Sequence, residues 1–161
     1  MQHTCPPGAG RSLTTGEIEL VQSVFGAAID CAPVQVRRRR WFPFQPASTV
    51  MAPCGHLHFH PRAEYYCDDF SQSAPGLQGL FIHEMTHVWQ TQTKGRWYLP
   101  LMRHPFCRYD YTLQPGWKLE RYGIEQQAEI VSHVFLLSRG FLVRGAQPLE
   151  RYRGVLPFAS A

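Results

Sequence analysis

The sequence predicts a single α+β domain built from two long helices and a small antiparallel or mixed sheet. Three observations carry the prediction. Residues 75–93 and 119–139 place apolar side chains at helical spacing. Residues 56–60 alternate strictly between histidine and an apolar side chain. Between these stretches, 13 prolines and 13 glycines supply many turns and loops. At 161 residues, the chain can bury one core without disulfides or metals as staples. Its 44% apolar and 17% charged composition is that of a folded rather than a disordered chain.

In chain order, residues 1–12 read as a loose arm. Thr14 and Glu17 have capping-box spacing, which predicts a helix to about Ala28 with Ile18, Val21, Val24 and Phe25 on one face. Val34 and Val36 alternate with polar residues and predict a short strand. Trp41 to Ser48 contains two prolines and reads as a loop. Thr49 to Ala52 reads as a strand, Pro53-Cys54-Gly55 as a turn, and His56 to His60 as a second strand, together forming an antiparallel hairpin. Its alternation places Leu57 and Phe59 on the core side and His56, His58 and His60 on the other.

Pro75 suits the first turn of the next helix, where a missing N–H costs nothing. Leu77, Leu80, Phe81, Val88 and Trp89 are available for burial on it. Residues 94–118 form a long aromatic loop, of a length that often carries function. The final helix is predicted from Leu119 to Arg139, with Gly140 as its C-cap. A domain over 13–142 is therefore expected between the arm and a C-terminal tail at 143–161.

The net charge of +4 is concentrated in Arg37-Arg38-Arg39-Arg40, read as a solvated strand end. No aromatic-interleaved RNA motif or zinc-finger spacing accompanies the run, so no nucleic-acid partner is expected. No apolar stretch is long enough to span a bilayer, and the first eleven residues lack a signal-peptide core. Synthesis and folding in the cytoplasm are expected, with any export by a leaderless route. Cys5, Cys31, Cys54, Cys67 and Cys107 are scattered and odd in number, so a disulfide framework is not expected.

The chemistry centres on Phe81-Ile82-His83-Glu84-Met85-Thr86-His87-Val88-Trp89, which contains H-E-x-x-H. Residues four apart share a helix face, so both imidazoles can reach one ion. Zinc suits these ligands and keeps a position open for water. Glu84 is placed to take a proton from that water and pass it to a leaving amine. In an otherwise apolar helix, three ionisable groups on one inward face need such a compensating partner. Glu125 and Glu129 share one face of the final helix, and Glu125 is the expected third ligand. Glu129 is expected to orient a ligand histidine from behind. His56, His58 and His60 are spaced awkwardly for one tetrahedral ion, at about 6.5–7 Å between neighbours. They are read as an exposed strand face or as a wall of the cleft touching substrate backbone. From the 94–118 loop, His104 and Tyr109 are the favoured donors to a developing oxyanion, ahead of Arg103, Arg108 and Tyr111.

These motifs resemble the metallopeptidase-like domains associated with bacterial contractile injection systems, including Vgr-related proteins of type VI secretion neighbourhoods. The resemblance covers roughly residues 13–140 and rests on Val24-Phe25-Gly26, Val34-Gln35-Val36, Gly55-His56-Leu57-His58-Phe59, Phe81 to Gln90 and Glu125-Gln126-Gln127-Ala128-Glu129. It implies a minimal, gluzincin-like zincin fold, with an active-site helix, a second ligand-bearing helix and a small sheet. In similar zincins the closing motif is Glu-x-x-Ala-Asp, whose first Glu is the third ligand. That supports Glu125, while Glu129 stands where Asp is usual.

The expected function is zinc-dependent hydrolysis of peptide bonds in a peptide or protein substrate. Two alternatives stand beside it: a catalytically silent zinc-binding adaptor of a secretion system, and a zinc amidase acting on peptidoglycan. A nucleic-acid binder built on Arg37 to Arg40 ranks last.

Overall fold

A computed structural model of the chain describes residues 4–158. The sheet has three strands, β1 (Gly10–Ser12), β2 (Gln35–Arg37) and β3 (Leu57–His58), in the order β1-β2-β3. β1 pairs antiparallel and β3 parallel with β2, so the sheet is mixed. Among the described residues four α-helices complete the fold: α1 (Thr15–Phe25), α2 (Pro75–Lys94), α3 (Tyr98–Met102) and α4 (Ile124–Ser138). The overall class is the α+β one predicted.

Thr14 caps α1 as its spacing foretold. Its hydroxyl accepts the Glu17 N–H at 3.1 Å, and the Glu17 carboxylate accepts the Thr14 N–H at 2.9 Å. Glu17 is also fully buried, where two 2.8 Å bonds from the Arg11 guanidinium and one of 2.9 Å from the Phe70 N–H satisfy its charge. α1 stops at Phe25 rather than Ala28 because Gly26 turns to positive φ.

Two terminal segments are more ordered than the sequence led us to expect. Residues 10–12 of the expected arm form β1, and Cys5 is buried, its N–H bonded to Asp68 at 2.9 Å. In the expected tail, Tyr152 and Val155 are buried and Phe158 packs edge-on against Phe25 and Trp89. Apolar side chains near both ends of the chain help finish the core, which reading them as an arm and a tail misses. Residues 1–3 and 159–161 of these two segments lie outside the described residues.

The expected hairpin at 50–60 reduces to one antiparallel bridge between Met51 and His58. The main pairing of β3 is with β2 instead, because Val36 and Leu57 are both fully buried partners in that register. β3 is therefore interior, covered on one edge by β2 and on the other by Met51. The histidine face is covered as well: His58 and His60 are buried, not exposed. Within the arginine run, Arg38 is structural. It donates to the carbonyls of Cys5 and Pro61 and lies over the Tyr66 ring, while Arg39 and Arg40 are exposed.

Burial, followed by the nearby Arg37 charge, pushes the His58 pKa from its ordinary 6.5 down to about 4. Between these two values the unfolded chain takes up a proton that the folded chain refuses, so stability falls as pH falls through that window. The expected loss is about 2 kcal/mol after allowance for residual solvent. Urea unfolding at pH 7 and pH 4.5 checks it: His58→Gln should show a smaller difference than the wild-type chain. An equal difference in both would remove His58 as the cause.

α2 and α4 pack against each other closely at Gly79, whose carbonyl accepts the Ser132 hydroxyl at 2.9 Å. A Cβ at Gly79 would lie 2.9 Å from Leu136 Cδ1 and 3.2 Å from Ser132 Oγ. This approach sets the facing side chains of α2 and α4 within reach of one another. Residues 94–118, read as a loop, include the short helix α3. The predicted helix at 119–139 breaks at its start: Leu119–Arg121 is a 3₁₀ turn, Tyr122 is extended, and α4 begins at Ile124. Gln126 causes the break by turning back to accept the Gly123 N–H at 2.9 Å. Among the described residues, no helix is long and apolar enough to cross a membrane.

Candidate metal centre

Every α2 residue from Phe81 to Thr91 is buried, so His83, Glu84 and His87 project into protein rather than solvent. Glu125, in the first turn of α4, is 1% exposed and meets them from the opposite side. Its Oε2 lies 3.3 Å from His83 Nε2 and 3.1 Å from His87 Nε2. One ligand atom from each of the three residues falls within 4.8 Å of the others. Ligand atoms about 2.0–2.2 Å from a tetrahedral zinc stand roughly 3.3–3.6 Å apart, a spacing the two Glu125–histidine distances approach.

The far side of each imidazole is held in place. His87 Nδ1 donates to Gln90 Oε1 at 2.8 Å, which leaves Nε2 aimed at Glu125. Gln90 is itself anchored, its amide donating to the Ile124 carbonyl at 3.0 Å and to Gln127 at 2.9 Å. His83 Nδ1 lies 3.0 Å from Glu129 Oε1, which orients that ring in the same way.

The electrostatics are those of a site built around positive charge. Burial works against a charged His83, but hydrogen bonds to Glu125 and Glu129 outweigh it and push its pKa up to about 10. Burial likewise works against ionised Glu125, yet His83, His87 and Arg103 hold its carboxyl far below the usual range. Glu129 is held low by its bonds to His133 and His83. Two buried oxygens here, Glu84 Oε2 and Glu125 Oε1, have no hydrogen-bond partner in the protein. Arg103 Nε stands 3.3 Å from the latter. Such orphaned acceptors are rare in folded proteins.

These groups open into a cavity of about 470 Å³ between α2, α4 and the segments 48–50 and 103–109. His83, Glu84, Glu125, Glu129, Arg103 and Tyr109 line it. Tyr109 is half-buried and stacks on His83, with ring centroids 6.1 Å apart and planes within 15°. The structure thus brings together His83, Glu84, His87, Glu125, Glu129 and Tyr109.

Four expected site residues lie elsewhere. His104 is exposed, its Nδ1 accepting the Phe106 N–H at 3.2 Å, and it borders a separate cavity of about 320 Å³. His56, His58 and His60 do not border the His83 cavity; Ser48, Thr49 and Val50 do. The reason is strand order: Met51 pairs with the outer edge of β3, so the segment before it, not β3, faces the cleft.

Sequence reasoning missed Gln90, His133 and the 48–50 wall. His87 and Gln90 are three apart, and Glu129 and His133 four apart, both helical-contact spacings. Those two signals were available.

What fold and site define is a small α+β domain with a buried His-His-Glu centre, a free carboxylate beside it and an open cavity in front. No protein-family profile matches the chain. Over 155 residues it is 41% identical to the type VI secretion system spike protein VgrG2b of Pseudomonas aeruginosa, covering 92% of this chain and 15% of that protein. It is similar in structure to the effector domain of Pseudomonas aeruginosa VgrG2b, with a TM-score of 0.77 and 40% identity over 92% of this chain and 84% of that one. The chain belongs to the family of the VgrG2b effector domain. The expected Vgr-related, type VI secretion resemblance is borne out at that level. The chain spans only about 15% of the length of the spike protein.

Proposed function

We propose that the domain is a gluzincin-like zinc metallopeptidase that acts as an effector delivered by a type VI secretion apparatus. The observation that carries the reading is the convergence of His83, His87 and Glu125 beside the unpartnered carboxylate of Glu84, at the base of an open cavity. A purely structural metal site has no use for a buried free carboxylate next to its ligands, where desolvation makes it costly.

His83, His87 and Glu125 would hold the zinc, with Glu129 and Gln90 fixing the two rings. When bound, zinc acidifies a water molecule and polarises a carbonyl oxygen. Glu84 takes the proton from the attacking water and returns it to the amine as the C–N bond breaks. Arg103 and Tyr109, which line the same cavity, are the donors available to the developing oxyanion. Val50 lines the cavity next to Met51, whose N–H and carbonyl are both spent on His58. The segment beside this bridge, residues 48–50, is the wall we assign to an extended peptide. This moves the substrate wall from the expected 56–60 strand to residues 48–50. Membership in a secretion-spike effector family supports delivery by that apparatus and makes a spike component the expected partner.

The test is metal content by elemental mass spectrometry on protein purified without chelator or a metal-affinity step. About one zinc per chain, with cleavage of a peptide library that a chelator abolishes, is expected. Chain that takes up no zinc after soaking would overturn the proposal. Purified sacculi assayed in parallel separate a peptidase from an amidase on peptidoglycan.

A further inference from the structure

Behind Glu129 runs a hydrogen-bond chain that the proposed reaction does not use. Glu129 Oε2 lies 3.2 Å from His133 Nε2, one helical turn further along α4. His133 Nδ1 lies 2.6 Å from the Tyr111 hydroxyl. That hydroxyl lies 2.5 Å from the Tyr152 hydroxyl, which accepts the Gln147 backbone N–H at 3.1 Å. Four segments distant in sequence are thus joined end to end: α2, α4, the 103–118 connection and the C-terminal 3₁₀ turn at Leu149–Tyr152.

The ends of this chain dictate its direction. The Glu129 carboxylate only accepts, so His133 turns an N–H of Nε2 toward it and accepts the Tyr111 O–H on Nδ1; Tyr111, its proton spent, then accepts from Tyr152, which itself accepts the Gln147 N–H. Burial and the Tyr152 bond push the Tyr111 phenol far above its ordinary range, so it keeps a proton to donate. With Nδ1 accepting, the His133 proton sits on Nε2 and points at Glu129. At the other end, His83 Nδ1 lies 3.0 Å from Glu129 Oε1, which only accepts, so an N–H of His83 also points at Glu129. Glu129 receives one N–H on each oxygen, and no donor or acceptor in the chain is wasted.

We infer that His133 is a positioning residue for the metal centre: held as the Nε2–H tautomer by Tyr111 and Tyr152, it clamps Glu129 so that Glu129 orients His83. This rests on the zinc reading of His83, His87 and Glu125. Without the clamp, Glu129, whose side chain is 30% exposed, can swing to solvent and leave the His83 ring free to turn. Loss of an outer group that orients a ligand typically costs about 10–100-fold in metal affinity.

Two substitutions separate the clamp from simple packing. His133→Gln puts an amide N–H near the position of Nε2 and keeps the bond to Glu129. His133→Asn puts it near Nδ1, at the Tyr111 end, and loses Glu129. Zinc alone is the probe: each protein is loaded, and transfer to a chromogenic chelator is timed. His133→Asn should release zinc about 10–100-fold faster than the wild-type chain, and His133→Gln should stay within about threefold of it. Equal rates for wild type and Asn, or equally fast rates for Asn and Gln, would overturn the clamp. The second readout needs no metal. Long-range ¹H–¹⁵N correlation of the His133 ring, assigned by its loss in His133→Gln, should show the Nε2–H tautomer and should shift in Tyr111→Phe. An Nδ1–H tautomer would overturn the inference. A wild-type chain that binds no zinc would sink the zinc reading, and the tautomer would still decide the clamp.

Discussion

Replacing Glu84 with Gln is expected to cut peptide hydrolysis by about 10²–10⁴-fold, the range for losing a positioned general base. Zinc content and urea stability should barely change. Gln has the shape of Glu, and the Oε2 it replaces bonds to nothing in the protein, so no internal bond is broken there. A carboxylate that served packing or charge balance alone would leave turnover intact when neutralised. Hydrolysis at the wild-type rate in Glu84→Gln would therefore remove the base from its proposed role. Zinc retained in a chain that hydrolyses nothing with or without Glu84 would favour the adaptor reading, in which the metal is structural.

Glu125→Ala is the second large effect, and it sorts ligand from orienting group. Glu125 touches both ligand imidazoles through one oxygen, at 3.3 and 3.1 Å, whereas of those two rings Glu129 touches only the back of His83. Removing a direct ligand is expected to weaken zinc binding by more than 10²-fold, beyond the roughly 10–100-fold typical of an orienting partner, which Glu129→Ala should show. Competition against a calibrated fluorescent chelator measures both. A larger loss from Glu129→Ala than from Glu125→Ala would exchange their roles. The protein should survive the substitution better than a broken buried ion pair usually does. Arg103, the charged neighbour on the outer oxygen, has a side chain 28% exposed and can turn to solvent.

Much of this centre was legible in the chain because it lies within helices, where contact follows from spacing alone. His83 and His87 share a face whatever surrounds α2, and the apolar residues around them require that face to be inward. Glu125 and Glu129 follow the same rule on α4. Thr14 and Glu17 announced α1 because a capping box is satisfied within four residues. The chain also carried its family resemblance in these same segments, and the likeness to the VgrG2b effector domain bears out its Vgr-related, type VI secretion part.

The remainder depended on which segments meet, and no local pattern encodes that. Alternation correctly put Leu57 and Phe59 on the core face, but it could not say that β3 would choose β2 over a hairpin partner. That choice buried the histidine face and gave the cavity wall to residues 48–50. His104 and Tyr109 are five residues apart in one connection; only the course of that connection past α3 placed Tyr109 on His83 and His104 outside. Tyr152 joined the centre through contacts 41 residues distant from Tyr111. Residues one turn apart on a helix are held together by the covalent chain itself. Residues on separate segments meet only when burying the whole core brings them there, so their pairing belongs to the tertiary structure.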